Sequence, residues 1–133
     1  PSLVVSEMCL SDSFRSVDRA VLDTLIERGV AGVVSTGVGL PLWRDNMERM
    51  NAAGLTVYLR RSAESISRRL SPYGRQKRPR LQGLSDEELV GFMKRDMEAR
   101  EPFYSRAQVT IDCDAMTDDE AVERVIEQLR IRN

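Results

Sequence analysis

The chain of 133 residues is long enough for one domain, and its 41% hydrophobic and 31% charged residues are ordinary for a soluble globular protein. This composition excludes a disordered tail and a low-complexity array, and no apolar run approaches the roughly 18 residues that a membrane-spanning helix needs. The net charge is only −1. No secretory signal is visible, so we expect a cytoplasmic protein without a membrane partner.

The first half of the chain predicts helices and strands in alternation. Apolar residues recur at helical spacing over 13–28, where Val17 and Val21 belong to the predicted apolar face. The β-branched run at 33–37 ends in glycine and indicates a buried strand. The further elements predicted here are a helix over 44–53 and a strand over 55–59.

The second half continues this alternation around a long basic loop. Pro and Gly interrupt residues 71–84, and a loop of that length in a compact domain is usually functional. Two capping boxes, Ser85 with Glu88 and Thr117 with Glu120, predict the beginnings of two helices. The elements predicted here are helices over 62–70 and 86–99, a strand over 108–112 and an amphipathic helix after Thr117.

Strands separated by helices predict an α/β domain with a parallel sheet. In sheets of this type, ligands bind at the carboxyl ends of the strands. The turn at 36–41 follows the first predicted strand at that position, which makes it a candidate ligand site.

The small net charge hides a strongly basic segment. Residues 60–80 carry eight basic side chains against Glu64 alone, and 18 of the chain's 20 basic residues are arginine. Arginine suits planar, bidentate binding of carboxylate or phosphate. The segment therefore predicts an anionic ligand, either a phosphate-bearing small molecule or nucleic acid.

The chain contains no histidine and only two cysteines, Cys9 and Cys113, which lie far apart. A Cys/His zinc site and a Ser-His-Asp triad are therefore not expected. We expect two reduced thiols in a cytosolic protein.

Four short motifs stand in order along nearly the whole chain. They are F-R-S-V-D at 14–18, V-V-S-T-G-V-G-L-P at 33–41, R-P-R-L at 78–81 and R-E-P-F-Y at 100–104. Together they resemble motifs of the shikimate kinase family, and D-N-M-E-R-M-N at 45–51 resembles its Bacteroides-type members.

The resemblance implies a three-layer α/β sandwich of the P-loop NTPase, adenylate-kinase-like type, with strand order 2-3-1-4-5. The strands at 33–37, 55–59 and 108–112 would be strands 3, 4 and 5. The family's first strand, its P-loop and its second strand have no match in this sequence. We therefore expect residues 1–133 to be a single domain without its N-terminal part, inactive alone, with 71–84 as a mobile lid.

The resemblance also implies a carboxylate clamp. Arg15 and Arg100 would each bind the carboxylate of shikimate. Asp18 stands where the family has Glu and would orient Arg15.

The same resemblance implies roles for the glycine turn and the lid. Gly37 and Gly39 would let backbone N–H groups approach the substrate hydroxyls, whereas Val38 replaces a third family glycine and would tolerate a positive φ badly. Arg78 would contact the nucleotide phosphates and serve catalysis by neutralising charge.

The implied activity is ATP-dependent phosphorylation of the 3-hydroxyl of shikimate to shikimate 3-phosphate, a step of chorismate and aromatic amino-acid biosynthesis. ATP and Mg²⁺ would be the cofactors, and no metal ligand is assigned within these residues. We expect a monomer that binds no nucleic acid. Two alternatives stay open: a non-catalytic shikimate-binding or regulatory relative, and an Arg-rich nucleic-acid-binding module built on 60–80.

Overall fold

The computed structural model describes residues 12–29, 31–70 and 81–132. The chain forms two compact units, residues 1–54 and residues 55–133.

The first unit consists of two helices and a short turn. Helix α1 (Asp12–Arg28) is followed by Gly29 at φ +61, the left-handed conformation with which glycine commonly ends a helix. A 3-10 turn (Leu40–Leu42) packs against α1 and against helix α2 (Asn46–Ala53). The helices predicted at 13–28 and 44–53 are therefore confirmed, with α2 beginning two positions later.

The strand predicted at 33–37 does not form, and that prediction was wrong. These residues are irregular, and the side chains of Val33 and Val34 are 96% and 56% exposed. A strand is stable only where a neighbour pairs with its backbone groups, and within the described residues the sole ladder joins two other segments. The β-branched composition alone was therefore not enough to produce a strand.

The apolar face predicted for α1 was also partly wrong. Leu22 is buried, but Val17 and Val21 remain 60% and 54% exposed. The covered face of α1 instead includes Arg15, Asp18 and Arg19, which are half-buried.

The second unit contains a parallel pair of strands. Strand β1 (Val57–Arg60) lies beside strand β2 (Val109–Asp112), in register from Val57 opposite Val109 to Arg60 opposite Asp112. The connection between them includes helix α3 (Ala63–Arg69) and helix α4 (Asp86–Tyr104), which pack together. The parallel α/β arrangement predicted for the strands at 55–59 and 108–112 is confirmed.

Helix α5 (Asp118–Arg132) follows β2 and covers one side of it. Buried side chains from β2, from the residue after it and from α5 form a small core, against which half-buried apolar residues pack. The buried members are Val109, Ile111, Cys113 and Ala121, and the half-buried ones are Leu55, Val57, Met116 and Val125.

The helix ends follow the local sequence closely. Both predicted capping boxes form: the Glu88 amide donates to Ser85 Oγ at 3.1 Å, and the Glu120 amide donates to Thr117 Oγ1 at 3.2 Å. Helix α4, however, continues past residue 99 and through Pro102 to Tyr104. The R-E-P-F-Y motif is thus the last part of a helix.

Among the helices described here, none is both long enough and apolar enough to span a membrane.

Candidate substrate-binding site

The glycine turn of the first unit has a backbone that does not depend on glycine. Gly39 is buried and has φ −84 and ψ −18, which any residue can adopt. Among the non-glycine residues described, only Arg44 has a positive φ, so Val38 is not strained. The expected conflict at Val38 is therefore absent, and a need for glycine here would come from close approach of a ligand.

A fully buried amide holds this turn in place. The side chain of Asn46, at the start of α2, has no solvent exposure and donates from Nδ2 to the carbonyl of Leu40 at 2.9 Å. Its Oδ1 accepts from Arg19 Nη1 of α1 at 2.6 Å. Helix α1, the turn and α2 are thus connected through one side chain.

Arg19 is the centre of a charged network. It also donates to Asp45 and, at 3.2 Å, to Asp23, which pairs with Arg49 at 2.8 Å. The hydrogen bond and charge of Arg19 lower the pKa of Asp45 below its ordinary value. The hydrogen bond from Arg19 to Asp45, in turn, raises the pKa of Arg19, which stays charged.

Arg15 and Asp18 lie on the same half-buried face of α1 as Arg19. The spacing of four residues from Arg15 to Arg19 places their side chains one helical turn apart. Since Arg19 reaches the turn through Asn46, the structure brings the F-R-S-V-D motif and the glycine turn into one unit.

Arg100 lies in the second unit, near the end of α4. Its Nη2 atom forms an ion pair with Asp96 at 2.7 Å, and both side chains are about three-quarters buried, at 25% and 24% exposure. A guanidinium has five N–H donors, so this one ion pair leaves donors that can bind a carboxylate.

The residue after Arg100 anchors this helix end to the sheet. Glu101 accepts a hydrogen bond from the phenol of Tyr58 at 2.8 Å and pairs with Arg60 at 3.6 Å. Tyr58 also contacts the ring of Tyr104, with centroids 5.3 Å apart. Burial, and then the hydrogen bond to Glu101, raise the pKa of Tyr58 to about 12.

Part of the basic segment is neutralised within the second unit. Arg61 and Arg69 both pair with Asp118, at 3.0 and 3.2 Å, and the hydrogen bond from Arg69 lowers the pKa of that carboxyl. Asp114 caps α3 by accepting from the amide of Ser62 at 3.1 Å, which lowers its pKa.

Arg78 and residues 71–80 of the predicted lid lie outside the described residues. The far end of that segment is held, since Leu81 is only 4% exposed and Gly83 turns the chain at φ +77 before α4.

The nucleotide and Mg²⁺ remain predictions from the family resemblance. Within 12–29, 31–70 and 81–132 there is no group of three acidic, cysteine or histidine side chains that could hold a metal. The sequence contains no G-K dipeptide of a P-loop.

Sequence reasoning missed Arg19, Asn46, Tyr58 and Glu101 as residues that support the site. Two signals were present. Arg19 follows Arg15 by one helical turn, and Glu101 is part of R-E-P-F-Y itself.

Parallel strands joined through helices, with arginines suited to anions, are features of the P-loop kinase class of α/β proteins. The family model of shikimate kinase matches residues 6–130. The shikimate kinase of Parabacteroides distasonis is 40% identical over 114 residues, 86% of this chain and 65% of that protein. The shikimate kinase of Bacteroides thetaiotaomicron is 38% identical over 117 residues, 88% of this chain and 66% of that protein.

A solved structure agrees with these sequence matches. The crystal structure of a shikimate kinase from Bacteroides thetaiotaomicron matches with a TM-score of 0.78 and 37% identity, covering 95% of this chain and 74% of the other. The chain belongs to the shikimate kinase family, as the four motifs and the 45–51 stretch predicted. It spans about 65% of the length of these curated relatives.

Proposed function

We propose that the protein to which these residues belong phosphorylates the 3-hydroxyl of shikimate with ATP, giving shikimate 3-phosphate for chorismate and aromatic amino-acid biosynthesis. The observation that carries the proposal is the family match over residues 6–130, which includes all four motifs in order. The proposal concerns a protein in which these residues act together with a nucleotide-binding loop.

In this proposal Arg15 and Arg100 bind the substrate carboxylate. Two charged guanidinium groups fix a carboxylate in one orientation, which positions the hydroxyl for attack. The ion pair with Asp96 supports this role, because it orients the Arg100 side chain at the end of α4 before substrate binds.

The phosphate side of the proposed reaction depends on Arg78. Its positive charge would neutralise the transferred phosphoryl oxygens as the segment 71–84 closes. ATP would supply the phosphoryl group, and Mg²⁺ would neutralise charge on its phosphates.

The nucleic-acid alternative receives less support from the ion pairs of the basic segment. Arg60 pairs with Glu101, and Arg61 and Arg69 pair with Asp118. Arginines that are already bound to carboxylates within the fold contribute less field to a polyanion.

The test is shikimate-dependent ADP formation by the full-length protein and by its Arg15→Ala and Arg100→Ala variants. Loss of a charge-assisted hydrogen bond of about 1.5–3 kcal/mol should raise the KM for shikimate roughly 10- to 150-fold, with the KM for ATP nearly unchanged. Arg95→Ala, on the same helix as Arg100, is the matched control and should behave like the unmodified protein.

The other outcomes separate the alternatives. Shikimate binding without turnover would identify the non-catalytic relative. If the protein neither binds nor phosphorylates shikimate but binds DNA with an affinity that falls steeply with salt, it is a nucleic-acid-binding module instead.

A further inference from the structure

We propose that Arg19 is a positioning residue for the substrate turn, acting through the buried amide of Asn46. The inference rests on the proposed function in one respect, namely that the glycine turn at 37–39 contacts the hydroxyls of shikimate, as the family resemblance implies.

The side chain of Asn46 is fully buried. A fully buried polar side chain is stable only if its donors and acceptors are paired. Both ends of this amide are used: Nδ2 donates to Leu40 at 2.9 Å and Oδ1 accepts from Arg19 at 2.6 Å. Removing Arg19 would leave the Oδ1 atom without this partner inside the unit.

Leu40, whose carbonyl Asn46 binds, directly follows the glycine turn. It begins the 3-10 turn immediately after Gly39, and the amide of Leu42 donates back to the Gly39 carbonyl at 3.1 Å. The Leu40 carbonyl that Asn46 binds is thus one peptide away from the glycine proposed to contact substrate. A shift of this carbonyl would move the backbone N–H groups at that point.

Two carboxylates orient the guanidinium of Arg19. Asp23, one turn further along α1, accepts from Arg19 Nε at 3.2 Å, and Asp45 accepts from Nη1. The arginine side chain is only 21% exposed. Its contacts fix the direction of the guanidinium, so α1 controls the position of Asn46 and of the turn.

The consequence is that one helix sets both parts of the proposed site in this unit. Arg15 and Arg19 occupy the same face of α1, and Arg19 binds the turn through Asn46. The distance between Arg15 and the substrate turn is therefore fixed, and a site that holds a small, rigid substrate in one orientation requires this.

Trp43 allows the test to be made without substrate. It is the only tryptophan of the 133 residues and follows the 3-10 turn directly. Acrylamide quenching of its fluorescence in the full-length protein, corrected with a Trp43→Phe variant, reports how tightly the turn is held.

The variants are Arg19→Ala, Arg19→Lys and Asn46→Asp, with Arg28→Ala at the end of the same helix as the control. Asn46→Asp keeps an acceptor for Arg19 but removes the donor to Leu40. If Arg19→Ala does not fold, Arg19→Lys and Asn46→Asp decide the question.

We expect Arg19→Ala and Asn46→Asp to raise the quenching constant of Trp43 by about half or more, and to raise the KM for shikimate about tenfold with kcat changed less than about twofold. Arg19→Lys should recover part of both, and Arg28→Ala should change neither. Unchanged quenching in folded variants, or equal losses in KM for shikimate and for ATP, would overturn the inference. If the unmodified protein shows no shikimate-dependent activity, the proposed function fails, whereas the quenching data still decide whether Arg19 holds the turn.

Discussion

The phenol of Tyr58 on β1 donates a hydrogen bond to Glu101 on α4 across 2.8 Å, although 43 positions separate the two residues in sequence. The contact joins a strand of the sheet to the helix end that carries Arg100. Because Glu101 also pairs with Arg60, the helix end is bound to two side chains on the same face of β1. Arg100 is therefore presented from a fixed backbone.

Replacing Tyr58 by Phe should loosen this helix end while keeping the ring contact with Tyr104. We expect the free energy of unfolding to fall by about 1 kcal/mol, the usual net value of one hydrogen bond. The KM for shikimate should rise by a few-fold, since Arg100 is less well oriented. Urea unfolding and steady-state kinetics measure the two effects, and a fall in stability with an unchanged KM would limit the contact to a structural role.

The same contact should be visible in alkaline titration. The pKa of Tyr58 is raised from 10.0 to about 12, so its protonated form stabilises the fold fully below pH 10, and this stability is lost as the pH rises through about 12. Burial raises the pKa of Tyr104 as well, so the late ionisation seen in tyrosinate absorbance near 295 nm is assigned to Tyr58 by comparison with Tyr58→Phe. Glu101→Gln removes the neighbouring negative charge and should shift that ionisation to lower pH; an unchanged curve would mean that Glu101 has no influence on it.

Asp118 should contribute to the loss of stability in acid. Arg69 and Arg61 hold its pKa below the ordinary value of 3.8, so its stabilising contribution is present above that value and disappears as the pH falls through the lowered one. Asp118→Asn should lower the Tm at pH 7 and flatten the decline of Tm below about pH 4. Asp119→Asn, in the same helical turn, keeps both arginine contacts and serves as the control; identical behaviour of the two variants would contradict the assignment.

A glycine substitution should cost less stability at Arg44 than at Val38. Val38 has no positive φ, so Val38→Gly relieves no strain and should destabilise the protein by about 0.4–1 kcal/mol through the entropy of the unfolded chain. Arg44 has φ +49, where glycine relieves about 1 kcal/mol, which offsets the lost contact of its guanidinium 4.2 Å from the Trp43 ring. Thermal unfolding of both variants makes the comparison, and equal losses would refute it. If Val38→Gly increased the affinity for shikimate, the cause would be the room left by the missing side chain and not the relief of backbone strain.

Arg78→Ala should lower kcat more than it raises the KM for shikimate, because its proposed contact strengthens as charge develops on the phosphoryl group. We also expect residues 71–84 to exchange amide hydrogens faster without nucleotide than with it, since they combine high charge with few apolar side chains. Hydrogen exchange of the full-length protein with and without ATP measures this. Equal protection in both states together with a normal kcat would show that the segment is only a solvated run of charges.

The sequence predicted those features that depend on near neighbours. The capping boxes at Ser85 and Thr117 formed as expected because a cap is a bond between residues three positions apart. The parallel pairing of the segments at 55–59 and 108–112 also followed, because both are rich in apolar β-formers and are separated by helices.

The features that failed or were missed depend on distant partners. Residues 33–37 have the composition of a strand, yet a strand requires a neighbour, which the pattern of one segment does not reveal. The bond from Arg19 to Asn46 joins residues 27 positions apart, and both are types normally found in solvent. The extension of α4 through Pro102 was missed because proline usually stops a helix, whereas here only two helical residues follow the proline.

The parallel pairing of Val57 with Val109 has a kinetic consequence for folding. The two residues are 52 positions apart, so the sheet of the second unit cannot begin to form until a chain of that length has closed. Closing a loop on the order of 50 residues lowers the entropy of the chain, and no local contact offsets this cost. Helices α3 and α4, in contrast, can form from local contacts at their own caps. The helices should therefore form before the strands meet, and the rate of strand pairing should limit folding of this unit. Lengthening the connection between the strands would slow folding and leave the unfolding rate nearly constant.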